Sequence, residues 1–178
     1  YRDWHYPPGS SKGVITYYAR STDGGLSWSK ENKILTKGSW QFYPDIAASD
    51  DHVYITYMDG RNFSKSKSDI WLLRSEDYGR TWSNETMIIS DPNMQESPKI
   101  AATDQQVHIV WQDYRNMNAA GMDIYYMYAK QYGTDWEEPV RLTQNQWQYQ
   151  PTIAASSEQL HIVWTDEQLL ATNGQDVF

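Results

Sequence analysis

The stretch Ser75-Glu76-Asp77-Tyr78-Gly79-Arg80-Thr81-Trp82 decides the fold, and its pattern is S-x-D-x-G-x-T-W. The same pattern stands earlier as Ser21-Thr22-Asp23-Gly24-Gly25-Leu26-Ser27-Trp28. It returns in reduced form as Ala129-Lys130-Gln131-Tyr132-Gly133-Thr134-Asp135-Trp136. The closing tryptophans are 54 residues apart in both steps. A fixed period of this length is typical of a repeat architecture.

We call these three stretches the box turns (21–28, 75–82 and 129–136). Ser and Asp side chains accept hydrogen bonds from nearby backbone N–H groups, and Gly adopts a positive φ at little steric cost. The closing Trp offers a large apolar surface for packing beside the turn. The third copy keeps only the Gly and the Trp, which indicates that the packing role of the turn is retained where its side-chain hydrogen bonds are lost. The sequence therefore predicts a structural role for Ser21, Asp23, Gly25, Trp28, Ser75, Asp77, Gly79, Trp82, Gly133 and Trp136.

A second block repeats at almost the same step. Prolines at 44, 98 and 151 each precede a short apolar run, and an alternating strand follows at 53–57, 107–111 and 160–164. Alternation of this kind predicts strands with one packed face. A third strand is predicted at 69–71, 123–125 and 176–178. It leads into the box turn, and a fourth strand follows the turn. Four short strands per repeat are typical of β-propeller blades.

The box turns, together with Trp111-Gln112-Asp113-Tyr114-Arg115 and Asp123-Ile124-Tyr125, resemble the Asp-box (BNR) repeat family. This family is known from sialidases and related propellers. The resemblance covers nearly the whole chain and implies an all-β propeller of four-stranded antiparallel blades. It also implies that the box turn lies between the third and fourth strands. Propellers of this kind serve as enzymes, binding modules and surface proteins alike, so the fold does not give the function.

The repeat divides the chain into one propeller segment, 1–178, with a partial blade at 1–40, full blades at 41–93 and 94–146, and a partial blade at 147–178. A propeller normally needs four or more blades. About three blade units therefore predict part of a longer propeller, with closure of the ring by association of subunits as the alternative.

Composition excludes several classes of function. The net charge of −8 disfavours a nucleic-acid partner, and no apolar run is long enough to insert a helix into a membrane. The chain has no Cys, and its four His are scattered, so we expect no metal and no cofactor. The resemblance predicts an extracellular or cell-surface location, with a glycan or a neighbouring protein subunit as the partner.

Candidate ligand-binding residues fall in segments predicted as loops on the face opposite the box turns. Aromatic rings stack on the C–H faces of sugars, and arginines fork onto carboxylates. These residue types predict a binding role for Trp40, Tyr43, Arg61, Arg115, Trp147 and Tyr149. The competing interpretation is scaffold: the Asp59/Arg61 and Asp113/Arg115 pairs repeat with the blade, as blade-to-blade ion pairs would, and the aromatics would be partly buried between blades.

The resemblance implies that a sialidase would use three arginines for the substrate carboxylate, a Tyr activated by a Glu, and an Asp acid/base. The family's Arg-x-Pro motif is missing ahead of the first box turn, and the sequence identifies no Tyr/Glu pair. We therefore predict a non-catalytic scaffold or interaction module that binds glycan or protein. The alternatives are a segment of a sialidase-like glycoside hydrolase and a structural repeat of a surface assembly.

Overall fold

The computed structural model describes residues 14, 16–30, 32–33, 40–117, 121–144 and 147–167. The strand predicted at 176–178 lies outside these residues, as does most of the segment ahead of the first box turn. The described residues form antiparallel sheets and one short helix, and the fold is an all-β propeller of blade-like units. The first sheet holds two short strands, β1 (Tyr17–Tyr18) and β2 (Asn32–Lys33).

The next sheet is a complete blade with the strand order β3-β4-β5-β6. A short helix, α1, lies in the loop between its second and third strands. The elements are β3 (Gln41–Ser49), β4 (His52–Asp59), α1 (Phe63–Ser66), β5 (Asp69–Ser75) and β6 (Thr86–Ile89). The second box turn joins the third strand to the fourth, as the sequence predicts.

The following sheet repeats this order, but its outer edge is split into two short strands that both pair with the third strand. A two-stranded sheet then begins the next unit. The elements are β7 (Gln95–Ala102), β8 (Val107–Asp113), β9 (Asp123–Lys130), β10 (Asp135–Trp136), β11 (Val140–Arg141), β12 (Trp147–Ala155) and β13 (Leu160–Glu167).

The second strand of each complete blade is buried on both faces, whereas the sequence predicted one packed face. In β8 every residue is buried, and in β4 every residue after His52 is. The reason is that each blade lies between two others. One apolar cluster joins the two complete blades, with Tyr54 and Ile70 on one side and Ile109 and Trp111 on the other. A second cluster, around Ile55 and Leu73, packs against Tyr18 of the preceding unit.

The first strands of successive units, β3, β7 and β12, contact one another, and each forms one edge of its sheet. They mark the inner edge of the propeller. The hairpin turns after the first strands and the box turns lie on one rim, where the Tyr78 N–H donates to the Asp51 carbonyl and the Tyr132 N–H to the Gln105 carbonyl.

Candidate functional site

The first two box turns have the same internal hydrogen bonds. Ser21 Oγ donates to Asp23 Oδ1 at 2.7 Å and accepts from the Gly25 N–H at 2.8 Å, and Ser27 Oγ donates to Asp23 Oδ2 at 2.5 Å. The turn at 75–82 repeats all three contacts at 2.8, 2.9 and 2.6 Å. Hydrogen bonds from Ser27 and Ser21 lower the pKa of Asp23 to about 2. The Asp side chain of each of these two turns thus accepts hydrogen bonds from its own turn.

The third box turn keeps the backbone shape without the acid. Gln131, Tyr132 and Gly133 all have positive φ, and the Gly133 N–H donates to the Lys130 carbonyl at 3.1 Å. The Gly slot has φ values of 90°, 76° and 82° in the three turns. The preceding slot is also left-handed in all three turns, with φ of 70°, 59° and 58° at Gly24, Tyr78 and Tyr132. At the Gly slot φ lies beyond the range of about +50 to +70° that other residues adopt, which explains why Gly is retained there when Ser and Asp are lost.

The box turns also bind their neighbours along the rim. The Tyr78 N–H donates to the Asp51 carbonyl at 2.7 Å, which ties the box turn to the hairpin between β3 and β4. Arg74 Nη1 donates to the Tyr132 carbonyl of the next turn at 3.1 Å. Arg20 makes the equivalent contact one repeat earlier, at 3.0 Å. Hydrogen bonds therefore link each box turn to the next along one rim, which we call the box rim, a structural belt.

Two of the closing tryptophans pack as predicted and one does not. Trp82 meets Tyr18 edge to face at 5.0 Å between ring centroids, and Trp136 packs against the cluster that joins the blades. Trp28 is 65% exposed, so its predicted burial is wrong in this structure. Within the described residues, only the two short strands β1 and β2 accompany the first turn, and they offer little surface to cover the ring.

Arg61 and Arg115 form ion pairs within their own blades. Arg61 Nη2 lies 2.6 Å from Asp59 Oδ2 and 2.6 Å from a Glu85 oxygen. Arg115 grips Asp113 with two nitrogens, at 2.9 and 2.7 Å. Both aspartates are 0% exposed. Hydrogen bonding to Asp113 raises the pKa of Arg115. The pairs are intrablade, not blade-to-blade as the scaffold interpretation expected.

Each guanidinium also covers an aromatic ring. Arg61 lies over Trp71 at 4.0 Å and Arg115 over Tyr125 at 4.4 Å from the ring centroid. Such contacts stabilise the cation where it is. With a buried carboxylate on one side and a ring on the other, these arginines fix the loop after the second strand. Their predicted role as a fork for a ligand carboxylate stays a prediction that the geometry does not favour.

The sequence analysis missed a second repeated pair in these loops. Asn62 donates to Asp69 Oδ2 and Asn116 donates to Asp123 Oδ2, both at 3.1 Å. Both aspartates are fully buried. The signal was present, because Asp-x-Arg-Asn recurs after 54 residues and the second Asp follows ten positions after the first.

A bulge interrupts the first strand of each unit just before its proline. The register shifts between Phe42 and Asp45 in β3, and equivalent shifts occur in β7 and β12. The residue before the proline has a φ of 52°, 50° and 50° at Tyr43, Ser97 and Gln150. Left-handed conformations are uncommon for such residues, and bulges redirect side chains. The sequence analysis placed Tyr43, Trp147 and Tyr149 in loops, whereas the structure places them in these strands.

Beside the bulges, two tyrosine–glutamate pairs join the first strand to the end of the second strand or to the residue just after it. Tyr114 Oη donates to Glu96 Oε2 at 3.0 Å, and Tyr149 Oη donates to Glu167 Oε2 at 2.6 Å. The two pairs occupy equivalent repeat positions with acid and phenol exchanged, because Tyr149 corresponds to Glu96 and Glu167 to Tyr114. We call Tyr43, Glu96, Tyr114, Tyr149 and Glu167 the inner cluster.

Three residues of the inner cluster, Tyr43, Glu96 and Tyr149, line an open depression of about 340 Å³ between the three units. Its lining comprises Tyr43, Glu96, Ser97, Gln112, Tyr149, Gln150 and Thr165. Burial raises the pKa of Glu96, and the hydrogen bond from Tyr114 only partly opposes this. Burial, and then the charge of Glu96, raise the pKa of Tyr43. The depression thus offers a carboxyl group that holds its proton more strongly than usual, beside phenol and amide groups.

The inner cluster has no counterpart in the preceding blade, although its tyrosine–glutamate pair recurs in the following unit with acid and phenol exchanged. The positions of Glu96 and Tyr114 hold Phe42 and Gly60 in the preceding blade. By contrast, the buried Asp–Arg and Asp–Asn contacts recur with nearly the same distances. Residues that stabilise the fold recur at the same position in each blade. Where the residue type changes from blade to blade, the position is not constrained by blade stability.

The six predicted ligand residues therefore separate into three groups. Tyr43 and Tyr149 line one depression, and Trp147 stacks near Tyr149 at 6.4 Å. Trp40 instead packs edge to face on Phe63 at 5.6 Å, next to α1. The two arginines are held in their ion pairs. The sequence analysis missed Glu96 and Tyr114, whose pairing depends on the register after the bulge.

Comparison with known proteins gives fold relatives only. No protein-family model matches the sequence, and no curated protein matches it. The α-L-arabinanase of Penicillium chrysogenum, in complex with arabinobiose, has a TM-score of 0.55 at 14% identity, over 84% of this chain and 48% of that chain. The NanB sialidase of Streptococcus pneumoniae has a TM-score of 0.57 at 13% identity, over 86% of this chain and 24% of that one.

The α-L-arabinofuranosidase Arb93A of Fusarium graminearum, an E242A mutant bound to an iminosugar inhibitor, has a TM-score of 0.56 at 13% identity, over 83% and 48% of the two chains. The chain thus spans about half the length of the arabinan-type enzymes it resembles and about a quarter of the sialidase. Identities this low show the fold alone, which is that of sialidase-like β-propellers.

Within the described ranges, no three His, Cys, Asp or Glu side chains come together as metal ligands. The described residues also include no helix with the length and apolar character needed to cross a membrane.

Proposed function

We propose that this chain is part of a propeller glycoside hydrolase and that the inner cluster contributes to its carbohydrate-binding face. One observation carries the proposal: a carboxyl group with a raised pKa lines one depression with Tyr43 and Tyr149 where the first strands of three units converge, and the tyrosine–glutamate pairing there has no counterpart in the first complete blade. Glycoside hydrolysis uses carboxyl groups whose pKa values are set by their surroundings.

Glu96 is the group that would transfer a proton. Its raised pKa brings the carboxyl closer to neutral pH, where general acid–base catalysis is most effective. Tyr114 orients it by donating a hydrogen bond at 3.0 Å. Tyr43 is 52% exposed and presents its ring to the depression, where it offers a stacking surface for a sugar.

The fold relatives support this proposal over a purely structural one. Those with the better structural agreement are described as an arabinanase, an arabinofuranosidase and a sialidase. The proposal therefore adopts the second interpretation of the sequence analysis, a propeller glycoside hydrolase, over the non-catalytic interaction module. A role as a repeat of a surface assembly has no specific support from the described contacts.

The same proposal includes the repeat family. We assign the three box turns to Asp-box repeats, because the first two share the same Ser, Asp and Gly hydrogen bonds and all three share the positive φ at Gly. The Asp side chains of the first two turns accept hydrogen bonds from their own turns, which supports a structural role for them. The proposed chemistry is therefore assigned to the inner cluster.

The test is hydrolysis of aryl glycosides by the full chain, with 4-nitrophenyl α-L-arabinofuranoside and a fluorogenic sialoside as the first substrates. Glu96→Gln is expected to lower kcat by about 10²–10⁴-fold, the range for loss of a general acid or base. Tyr114→Phe is expected to shift the acidic or basic limb of the pH profile while leaving part of kcat.

The chain itself supplies a matched control. The double substitution Glu96→Tyr with Tyr114→Glu copies into this blade the arrangement that Tyr149 and Glu167 have in the next unit. We expect this variant to fold as the wild type does and to lack turnover. Sugar binding without turnover in the wild type supports the interaction module instead. If the wild type shows neither binding nor turnover, the proposal is wrong.

A further inference from the structure

The two complete blades differ at one buried carboxylate. Asp69 and Asp123 begin the third strands of their blades, are 0% exposed, and each accepts a hydrogen bond from an asparagine on Oδ2. In the second blade, Asp123 Oδ1 also accepts from Arg141 Nη2 at 2.9 Å and from Thr143 Oγ1 at 3.5 Å. Asp123 is therefore satisfied on both oxygens.

The first blade lacks both donors. The positions of Arg141 and Thr143 hold Met87 and Ile89, and Met87 pairs with Trp71 in the register in which Arg141 pairs with Tyr125. Neither Met nor Ile donates a hydrogen bond through its side chain. Among the described residues, Asp69 Oδ1 has no hydrogen-bond partner. A buried carboxylate oxygen without a hydrogen-bond donor is costly, so a cation from outside the blade would stabilise Asp69 Oδ1.

An open depression of about 350 Å³ is lined by residues that surround this carboxylate in the blade, although the buried Asp69 does not itself line it. Its lining includes Asn62, whose amide holds Asp69, and Met87, which stands where Arg141 stands in the next blade. Ser66 also lines it, and its buried Oγ has no hydrogen-bond partner in the described part of the chain. The lining also includes one acid, Asp91, and one cation, Lys65.

We propose that this depression, bordered by Asn62, Ser66, Met87 and Asp91, binds a guanidinium group that takes the place of the missing Arg141 guanidinium. A planar guanidinium donates to Asp69 Oδ1 with one nitrogen and to Ser66 or Asp91 with another. Met87 is flexible and 43% exposed, so it moves aside at little cost. The chain's net charge of −8 favours the approach of a cation.

The test measures the Tm of the full chain with methylguanidinium chloride, against sodium chloride at the same ionic strength. The wild type is expected to show a saturable rise in Tm, because a ligand of the native state stabilises it. Asp69→Asn is expected to weaken the apparent binding by at least about tenfold, and Met87→Arg to abolish it by filling the site. Met87→Leu, the matched control, is expected to retain it.

Two further arms extend the comparison. Arg141→Met removes the guanidinium of the second blade and is expected to enlarge the response, because it creates a second site of the same kind. N-acetyl-arginine amide is compared with methylguanidinium: binding of both shows that the site admits an arginine side chain in a peptide setting, and binding of methylguanidinium alone restricts it to a small guanidinium compound.

Three results overturn the proposal. The first is an equal response in wild type, Asp69→Asn and Met87→Arg, which means non-specific binding. The second is a larger saturable response to calcium chloride than to methylguanidinium, which means a metal site. The third is a response that appears only in Lys65→Met, which means that Lys65 of the lining supplies the cation itself.

Discussion

Alanine at the Gly slot of the three box turns gives a graded test of the packing between blades. All three glycines have positive φ, so alanine costs about 1–2 kcal/mol at each from backbone strain alone. Their surroundings differ. A Cβ at Gly25 meets nothing within 4 Å, and one at Gly133 meets Tyr54 and Val107 at 3.4 Å. A Cβ at Gly79 would lie 2.1 Å from Tyr18 Oη and 2.9 Å from its Cζ.

Gly79→Ala must therefore displace the Tyr18 ring, which packs against Trp82 at 5.0 Å. Overpacking of this kind costs about 1–3 kcal/mol beyond the strain. We expect a loss of about 3 kcal/mol for Gly79→Ala and about 1–2 kcal/mol for Gly25→Ala and Gly133→Ala. Urea denaturation followed by tryptophan fluorescence measures the difference, with a midpoint lowered by about 1–2 M for Gly79→Ala. Equal losses at Gly25 and Gly79 would refute the packing argument.

The remaining predictions concern single contacts. Arg74→Met removes the donor to the Tyr132 carbonyl, and urea denaturation is expected to show a loss of about 1 kcal/mol, whereas no loss would mean that the box rim is not a structural belt. Trp111→Phe leaves the buried Asp113 one hydrogen bond short, for a loss of about 1.5–3 kcal/mol in the same assay. Burial lowers the pKa of His108, so stability is present above pH about 6.5 and falls as pH drops through the lowered value. His108→Tyr, which copies the preceding blade, is expected to remove this dependence in melts between pH 7 and pH 5.

The sequence predicted the parts of the structure that local chemistry determines. The box turns were predictable because Ser, Asp and Gly satisfy the turn within eight residues, as the contacts of Asp77 confirm. The strand order and the shared rim follow from the repeat itself, and the Tyr78–Asp51 hydrogen bond confirms the rim. What repeats every 54 residues is visible in one sequence without any structure.

The inner cluster was not predictable in the same way. Its Glu96–Tyr114 contact joins two strands across a register shift, and the bulge that causes this shift depends on a positive φ at Ser97, for which Ser gives no warning. The lack of a hydrogen-bond partner at Asp69 Oδ1 was not predictable for another reason. It is recognised only by comparison with Asp123 in the next blade, whose Oδ1 accepts a hydrogen bond from Arg141.

Both inferences rest on the same reasoning about a repeated fold. A contact that recurs in each blade, such as Arg61 with Asp59 and Arg115 with Asp113, is sufficiently explained by the stability of the blade. A position that departs from the repeat while its surroundings stay the same needs a separate cause. At Glu96 the departure adds an acid to a depression shared by three units, and at Met87 it removes the donor that a buried acid requires. The first adds a chemical group where a substrate can reach it. The second leaves a deficit that a ligand can fill, and the intact blade beside it specifies the chemistry of that ligand.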